Sequence, residues 1–332
     1  MADLTTKYLG LSMTNPLIVG SSGLTDSVDN ILELEKAGAG AVVLKSLFEE
    51  QIMLEVDASL KEAYKNDMIY SAKSETLDYI DVHIRERTMG AYIELIKEAK
   101  DKAIIPVIAS INCVSAAEWT NFANQFEEAG ADALELNIAI LPTDENTDVK
   151  DIEDIYVDIV KKIKQKISIP VAVKISPYFT NLSRTVKKLG DAGADGIVMF
   201  NRFYTPDYDI NNFSEKSSDT FSKSSESGNV RRWMGIISPK VDCDLSATTG
   251  IHSSEDLIKN LLAGAVTAQI VSAIYKNGKE QIQKILGGLN EWMDEKGYNT
   301  IEQFRGKLSQ AETSNPSAYE RIQFMKYFSE IR

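Results

Sequence analysis

The sequence predicts an α/β protein of the (β/α)8 barrel class, a TIM barrel with long loops over its C-terminal mouth and an extra C-terminal helix. Three observations carry that expectation. First, an amphipathic segment ends in Ala-Gly-Ala and runs into apolar residues four times, in "KAGAGAVVLK", "EAGADALELN", "DAGADGIVMFN" and "LAGAVTAQIVS". Gly38, Gly130, Gly193 and Gly264 suit the left-handed position just past a helix end, and the continuous apolar runs behind them read as doubly buried parallel strands. Second, each interval between these glycines is long enough for two β-α units, and a further strand is found in each. Third, a chain of 332 residues suits one such barrel with decorations better than an average single domain.

In chain order, "NPLIVGSS" is the first strand, residues 28–38 form a helix, and "AVVLKS" is the second strand. Residues 47–75 read as a long acidic loop, after which Leu77, Ile80 and Ile84 mark a helical stretch that includes His83. "IIPVIASIN" and "ALELN" are the third and fourth strands, with a helix over 115–129 between them and another over 151–167 behind. "SIPVAVKISP" is the fifth strand, 180–192 a helix, and "GIVMFN" the sixth. The Ser- and Asn-rich "YTPDYDINNFSEKSSDTFSKSSESGN" has no helical period and reads as a second long loop, either a lid or a solvated segment. "DLSATTG", a helix over 253–263, "TAQIVS" and a helix over 278–296 complete the barrel. Beyond Pro316, the three-residue spacing of Ile322, Met325, Phe328 and Ile331 predicts an amphipathic helix that packs on its own barrel or on another subunit. The expected division is a barrel over 1–309 and a C-terminal extension over 310–332.

A net charge of −13 argues against nucleic acid and anionic membranes and leaves a small-molecule substrate. The N-terminus lacks the pattern of a secretory leader and no apolar run would span a bilayer, so a cytoplasmic protein is expected. Cys113 and Cys243 stand in no metal-ligand spacing with His83 or His252 and fall at opposite ends of the barrel, which predicts free thiols and no metal.

Function in such barrels gathers where strands end. "TTGIHSSED" places Gly250 before a Ser-x-x-Asp box from Ser253, and Ser272 ends the eighth strand beside it. That pair of loops suits a phosphate group, with plain helix capping as the alternative and His252 close enough to help an anion. Lys45 and Lys174 end strands, and Lys174, among Val171, Val173 and Ile175, needs an anionic partner. A flavin's electron-rich edge and a carbonyl substrate forming a Schiff base both qualify. Asn112, Asn137 and Asn201 end three further strands and together suit a heterocycle edge with alternating N–H and C=O groups.

"YLGLSMTNPLIVGSSG", "LKS", "LELN", "VAVKISP", "TTGI", "AQIVSAIYKNG" and "MDEKGYNTIEQFRGKL" together resemble the soluble, FMN-dependent class of dihydroorotate dehydrogenases over most of the chain. The resemblance implies that FMN is bound by Ser21, Ser22, Gly23, Lys45, Ser46, Asn137 and Lys174, with Gly250, Val271 and Ser272 on its phosphate. It implies substrate contacts from Lys45, Asn137 and Asn201, to which the asparagine set adds Asn112, together with hydride transfer to the flavin, a homodimer, and an iron-sulfur or other redox partner. The family loop Asn-x-Ser-Cys-Pro-Asn reads "NIAILP" here, so Ile140 fills the position of the proton-abstracting Cys or Ser. An alkyl group accepts no proton, which predicts a divergent branch acting on a small heterocycle, with Cys113 and Tyr204 as the substitutes by position. The alternatives are a true dihydroorotate dehydrogenase with a substitute base, a Schiff-base aldolase using Lys174, and a flavin-binding protein without catalysis.

Overall fold

The structure, a computed structural model, describes residues 2–65, 74–112, 116–217 and 219–321. Eight parallel strands close into a barrel: β1 Leu17–Val19, β2 Ala41–Val43, β3 Val107–Asn112, β4 Ala133–Asn137, β5 Val171–Ile175, β6 Gly196–Met199, β7 Asp244–Thr248 and β8 Thr267–Ile270. Each pairs with its neighbours in sequence. The ring closes where β8 meets β1, with Gln269 opposite Ile18, and the β2 to β3 pairing sets Val43 opposite Ile108. The helices that return the chain are α1 Val28–Lys36, α2 Glu49–Lys65, α3 Ser74–Lys102, α4 Ala116–Glu128, α5 Val149–Lys164, α6 Leu182–Asp191, α7 Ser227–Ile237, α8 Ser254–Ala263, α9 Ser272–Asn277 and α10 Gln281–Lys296. No described helix is long and apolar enough to cross a membrane.

Local chemistry accounts for these elements. Gly38, Gly130, Gly193 and Gly264 have φ of +95°, +94°, +106° and +113°, the left-handed stop that lets each helix turn straight into the next strand. In α5, Asp148 accepts the Lys150 amide at 2.8 Å, three lysines lie in the last turn, and Tyr156, Ile159, Val160 and Ile163 form the buried face. The Ser253 and Asp256 box caps α8 as its spacing predicts, with each side chain bonded to the other's backbone amide at 3.2 Å.

Strand periodicity of two gives the barrel interior two layers. Ile18, Val43, Ile108, Ala133, Ala172 and Val198 make an apolar lower layer, sealed from below by Tyr8 and Met13 of the antiparallel strands Thr6–Tyr8 and Leu11–Met13 and by Leu9 of the turn between them. Two residues further along three of these strands stand Ser110, Glu135 and Lys174, and Gln269 is the penultimate residue of β8. The polar layer therefore faces the mouth.

Three expectations need correction or lie beyond view. The acidic stretch after β2 is not a loop: α2 occupies Glu49–Lys65, because Ile52 and Val56 one turn apart give it a narrow buried stripe and Glu49 and Glu50 favour its start. The long segment after β6 contains an antiparallel hairpin, Pro206–Asp209 with Ser214–Ser217, and its last residues already belong to α7, whose Val230, Met234 and Ile237 pack inward. The C-terminal helix from Ile322 lies outside the described residues. The stretch before it is tied to the barrel by the Gln310 amide on the Gly235 carbonyl at 2.8 Å and by the Tyr319 hydroxyl on the Leu308 carbonyl.

Candidate functional site at the barrel mouth

A cavity of about 400 Å³ opens at the carboxyl ends of the strands. Ser21, Ser22 and Gly23 reach it from the end of β1, Lys45 and Ser46 from β2, Asn137 from β4 and Lys174 from β5. Asn201 follows β6, Gly250 follows β7, and Val271 and Ser272 follow β8. One expected contact, Asn112, is absent from the lining; its amide instead donates to the Asn137 carbonyl at 2.7 Å and holds the end of β4.

The floor is a polar network that the sequence reading did not include. Lys174 Nζ lies 3.7 Å from Oε1 of Glu135, a carboxylate that is 1% exposed. Oε2 of the same carboxylate accepts from Gln269 Nε2 at 2.6 Å, across the barrel. Thus the anionic partner that a buried lysine requires is a residue of the chain itself. Beside it, the Ser21 and Ser46 hydroxyls lie 3.0 Å apart and those of Ser46 and Ser110 lie 2.7 Å apart, while the Ser110 amide donates to the Tyr92 hydroxyl at 2.9 Å. Burial pushes the Tyr92 hydroxyl far above the usual tyrosine range, so it stays a neutral strut. The available signal for Glu135 was strand periodicity, since it shares a face with Asn137 two residues on.

Three buried side-chain oxygens at this floor have no hydrogen-bond donor: Oδ1 of Asn137, Oε1 of Gln269 and Oε1 of Glu135, the last with the Lys174 ammonium 3.7 Å away. Three cations, Lys45, Lys174 and Arg202, line the cavity, and among its described lining residues there is no carboxylate, although the chain carries a net charge of −13. Lys174 is balanced by Glu135 beneath the cavity, and Arg202 pairs with Glu226 at 3.0 Å.

Where β7 and β8 end, Thr249 and Gly250 have φ of +76° and +77°. A Cβ on Gly250 would run into the Ser227 amide nitrogen, so the loop needs glycine there. Ser222 arrives from the long segment after β6: its amide donates to the Ser272 hydroxyl at 3.0 Å and its own hydroxyl lies 3.0 Å from His252 Nε2. Lys276 Nζ donates to the Ser222 carbonyl at 2.7 Å. Burial, then the Lys276 charge, lowers the His252 pKa below the ordinary histidine value.

The loop after β4 differs. Ile140 is half-buried against the hydrophobic core and is not part of the cavity lining. Its amide donates to the Tyr156 hydroxyl at 3.2 Å, and that hydroxyl donates to the Ile138 carbonyl at 3.1 Å. Tyr204 is 63% exposed and its hydroxyl donates to the Lys216 carbonyl at 2.9 Å, outside this cavity. Cys113 lies outside the described residues. Cys243 sits at the amino-terminal end of β7 in a separate cleft, with its thiol pushed up to about 11 by burial.

The sequence matches the dihydroorotate dehydrogenase family over residues 3–293. The chain belongs to that family. It is 28% identical over 313 residues to the catalytic subunit of the NAD(+) dihydroorotate dehydrogenase B of Thermoplasma volcanium, covering 92% of this chain and 98% of that one. The Thermoplasma acidophilum counterpart is 27% identical, with 92% and 99% covered. The PreA subunit of the NAD-dependent dihydropyrimidine dehydrogenase of Escherichia coli K12 is 24% identical, with 92% and 76% covered. The family is flavin-dependent, and this member is an oxidoreductase of the type that acts on CH–CH bonds. Membership leaves the Schiff-base aldolase without support.

Proposed function

We propose that the mouth cavity holds FMN and that the protein moves a hydride between it and a small, partly saturated nitrogen heterocycle of the dihydropyrimidine type. The observation that carries this reading is the floor of the cavity: two donorless buried carbonyl oxygens, Asn137 Oδ1 and Gln269 Oε1, beside the Lys174 ammonium. A ring with both N–H and C=O groups satisfies such a set, and leaving buried acceptors unpaired costs about 1–3 kcal/mol each. A cavity of about 400 Å³ is also within the range of cofactor sites.

In this reading Lys174 and the backbone from Ser21 to Gly23 hold the ring, while Gly250, Val271 and Ser272 hold the phosphate in the corner closed by Ser222. Bound FMN would supply the hydride acceptor. Lys45, Asn137 and Asn201 face the same space and would orient the substrate. With Ile140 at the family's base position, dihydroorotate itself is disfavoured as substrate, and a ring whose proton is removed by other means is favoured. The catalytic-subunit and PreA-subunit names of the relatives support a separate redox partner that takes the electrons.

The test is the visible spectrum of the purified protein, recorded without oxygen before and after addition of dihydroorotate, dihydrouracil or dihydrothymine. A flavin spectrum that a dihydropyrimidine bleaches and dihydroorotate leaves oxidised is the expected result. A colourless protein that takes up no added FMN rejects the proposal.

A further inference from the structure

Glu135 is the buried acid for which the proposed chemistry has no direct use. It lies 1% exposed on β4, beneath the cavity rather than in its lining, so it touches neither cofactor nor substrate. A carboxylate in such a place needs compensation for its lost hydration. The compensation is specific: Gln269 reaches across from β8 to bond one oxygen at 2.6 Å, and Lys174 faces the other at 3.7 Å. Lys174 has no comparable freedom, since its side chain is 14% exposed and the β5 segment around it is buried on both sides.

We propose that Glu135, held by Gln269, is a positioning residue that fixes the Lys174 ammonium at the cavity floor and aims it at the pyrimidine edge of the flavin. The inference rests on the flavin reading above. A long, flexible lysine stem loses about 2 kcal/mol of rotamer freedom when its amine is held in one place. The Glu135 and Gln269 pair supplies that restraint before any ligand arrives, so the cost is already met in the folded protein. The Oε1 of Gln269 is left without a donor and lies 3.3 Å from where a Cβ on Gly20 would stand, so a side chain there would crowd it.

The test compares Glu135→Gln, Gln269→Met, Lys174→Met and the Glu135→Gln, Lys174→Met double variant, reading the FMN dissociation constant on apoprotein and the midpoint potential of bound flavin. Glu135→Gln keeps the shape and the bond to Gln269 and removes the charge. It is expected to weaken FMN about tenfold, the worth of one hydrogen bond to a charged group, and to shift the potential to more negative values. Gln269→Met, which leaves both charges in place, is expected to shift both readouts in the same direction by less. In the Lys174→Met background Glu135→Gln instead removes an unpaired buried charge, and it is expected to restore FMN binding in part rather than weaken it further.

If Glu135→Gln binds FMN at wild-type strength and potential, or if its effect persists undiminished without Lys174, the positioning role is overturned. Should Glu135→Gln fail to fold, a Gln269→Met protein indistinguishable from wild type overturns it equally. A wild-type chain that takes up no FMN overturns the flavin reading and this inference with it, so the two failures are distinct.

Discussion

The corner where β7 and β8 end and the loop that follows β4 share one barrel mouth, yet they are built in opposite ways. In the first, Ser222, Ser272, His252 and Lys276 are joined by hydrogen bonds of 2.7–3.0 Å around a glycine that admits no side chain. In the second, residues 141–151 are almost all exposed, and the Tyr156 hydroxyl pins the start of the loop by the backbone of residues 138 and 140. Holding an anion needs amides, hydroxyls and a cation, which many sequences can supply. Removing a proton needs one acceptor atom at one place, and Ile140, at the expected base position, offers none. On the proposed reading, the family's cofactor half is kept here while its proton-handling half has changed.

Four experiments would break or sharpen that contrast. The largest effect is expected from Ile140→Cys: restoring a proton acceptor should speed flavin bleaching by dihydroorotate roughly 10²-fold or more, measured by stopped-flow absorbance. An unchanged rate would mean that the loop after β4 no longer reaches the substrate. Next, Lys174→Met leaves Glu135 as an unpaired buried charge, which should cost about 3–5 kcal/mol of stability and most of the bound FMN, read by denaturant unfolding and flavin content. Wild-type values for both would remove Lys174 from the site.

A smaller loss is expected from Gly250→Ala, which combines a positive φ with a collision against backbone; about 1–3 kcal/mol of stability should go, together with retention of flavin. The smallest effect is pH dependence at His252. Its folded pKa lies below the ordinary value, so its contribution to stability is complete above about pH 6.5 and is lost as pH falls through the lower folded value. Comparing melting temperatures between pH 5 and 7 for wild type and His252→Asn should show a steeper decline in wild type. Parallel curves would assign the acid loss to other groups.

Much of this was legible in the chain. The repeated Ala-Gly-Ala stops, the paired intervals and the apolar runs determined eight strands, because helix ends and strand periods are written within a few residues of where they act. Lys45, Asn137, Lys174, Asn201, Gly250 and Ser272 could be placed at one mouth because the barrel class puts strand ends together. The helix α2 was missed because, among its described side chains, the buried stripe rests on Ile52 and Val56, while the apolar Met53 and Leu54 between them are exposed and blur the helical period. Only the tertiary structure decided that Glu135 meets Gln269, 134 positions away, and that Ser222 closes the corner beside Ser272, 50 positions away. Such contacts depend on how the ring closes and where a long loop comes to rest, and no local pattern of residues encodes either.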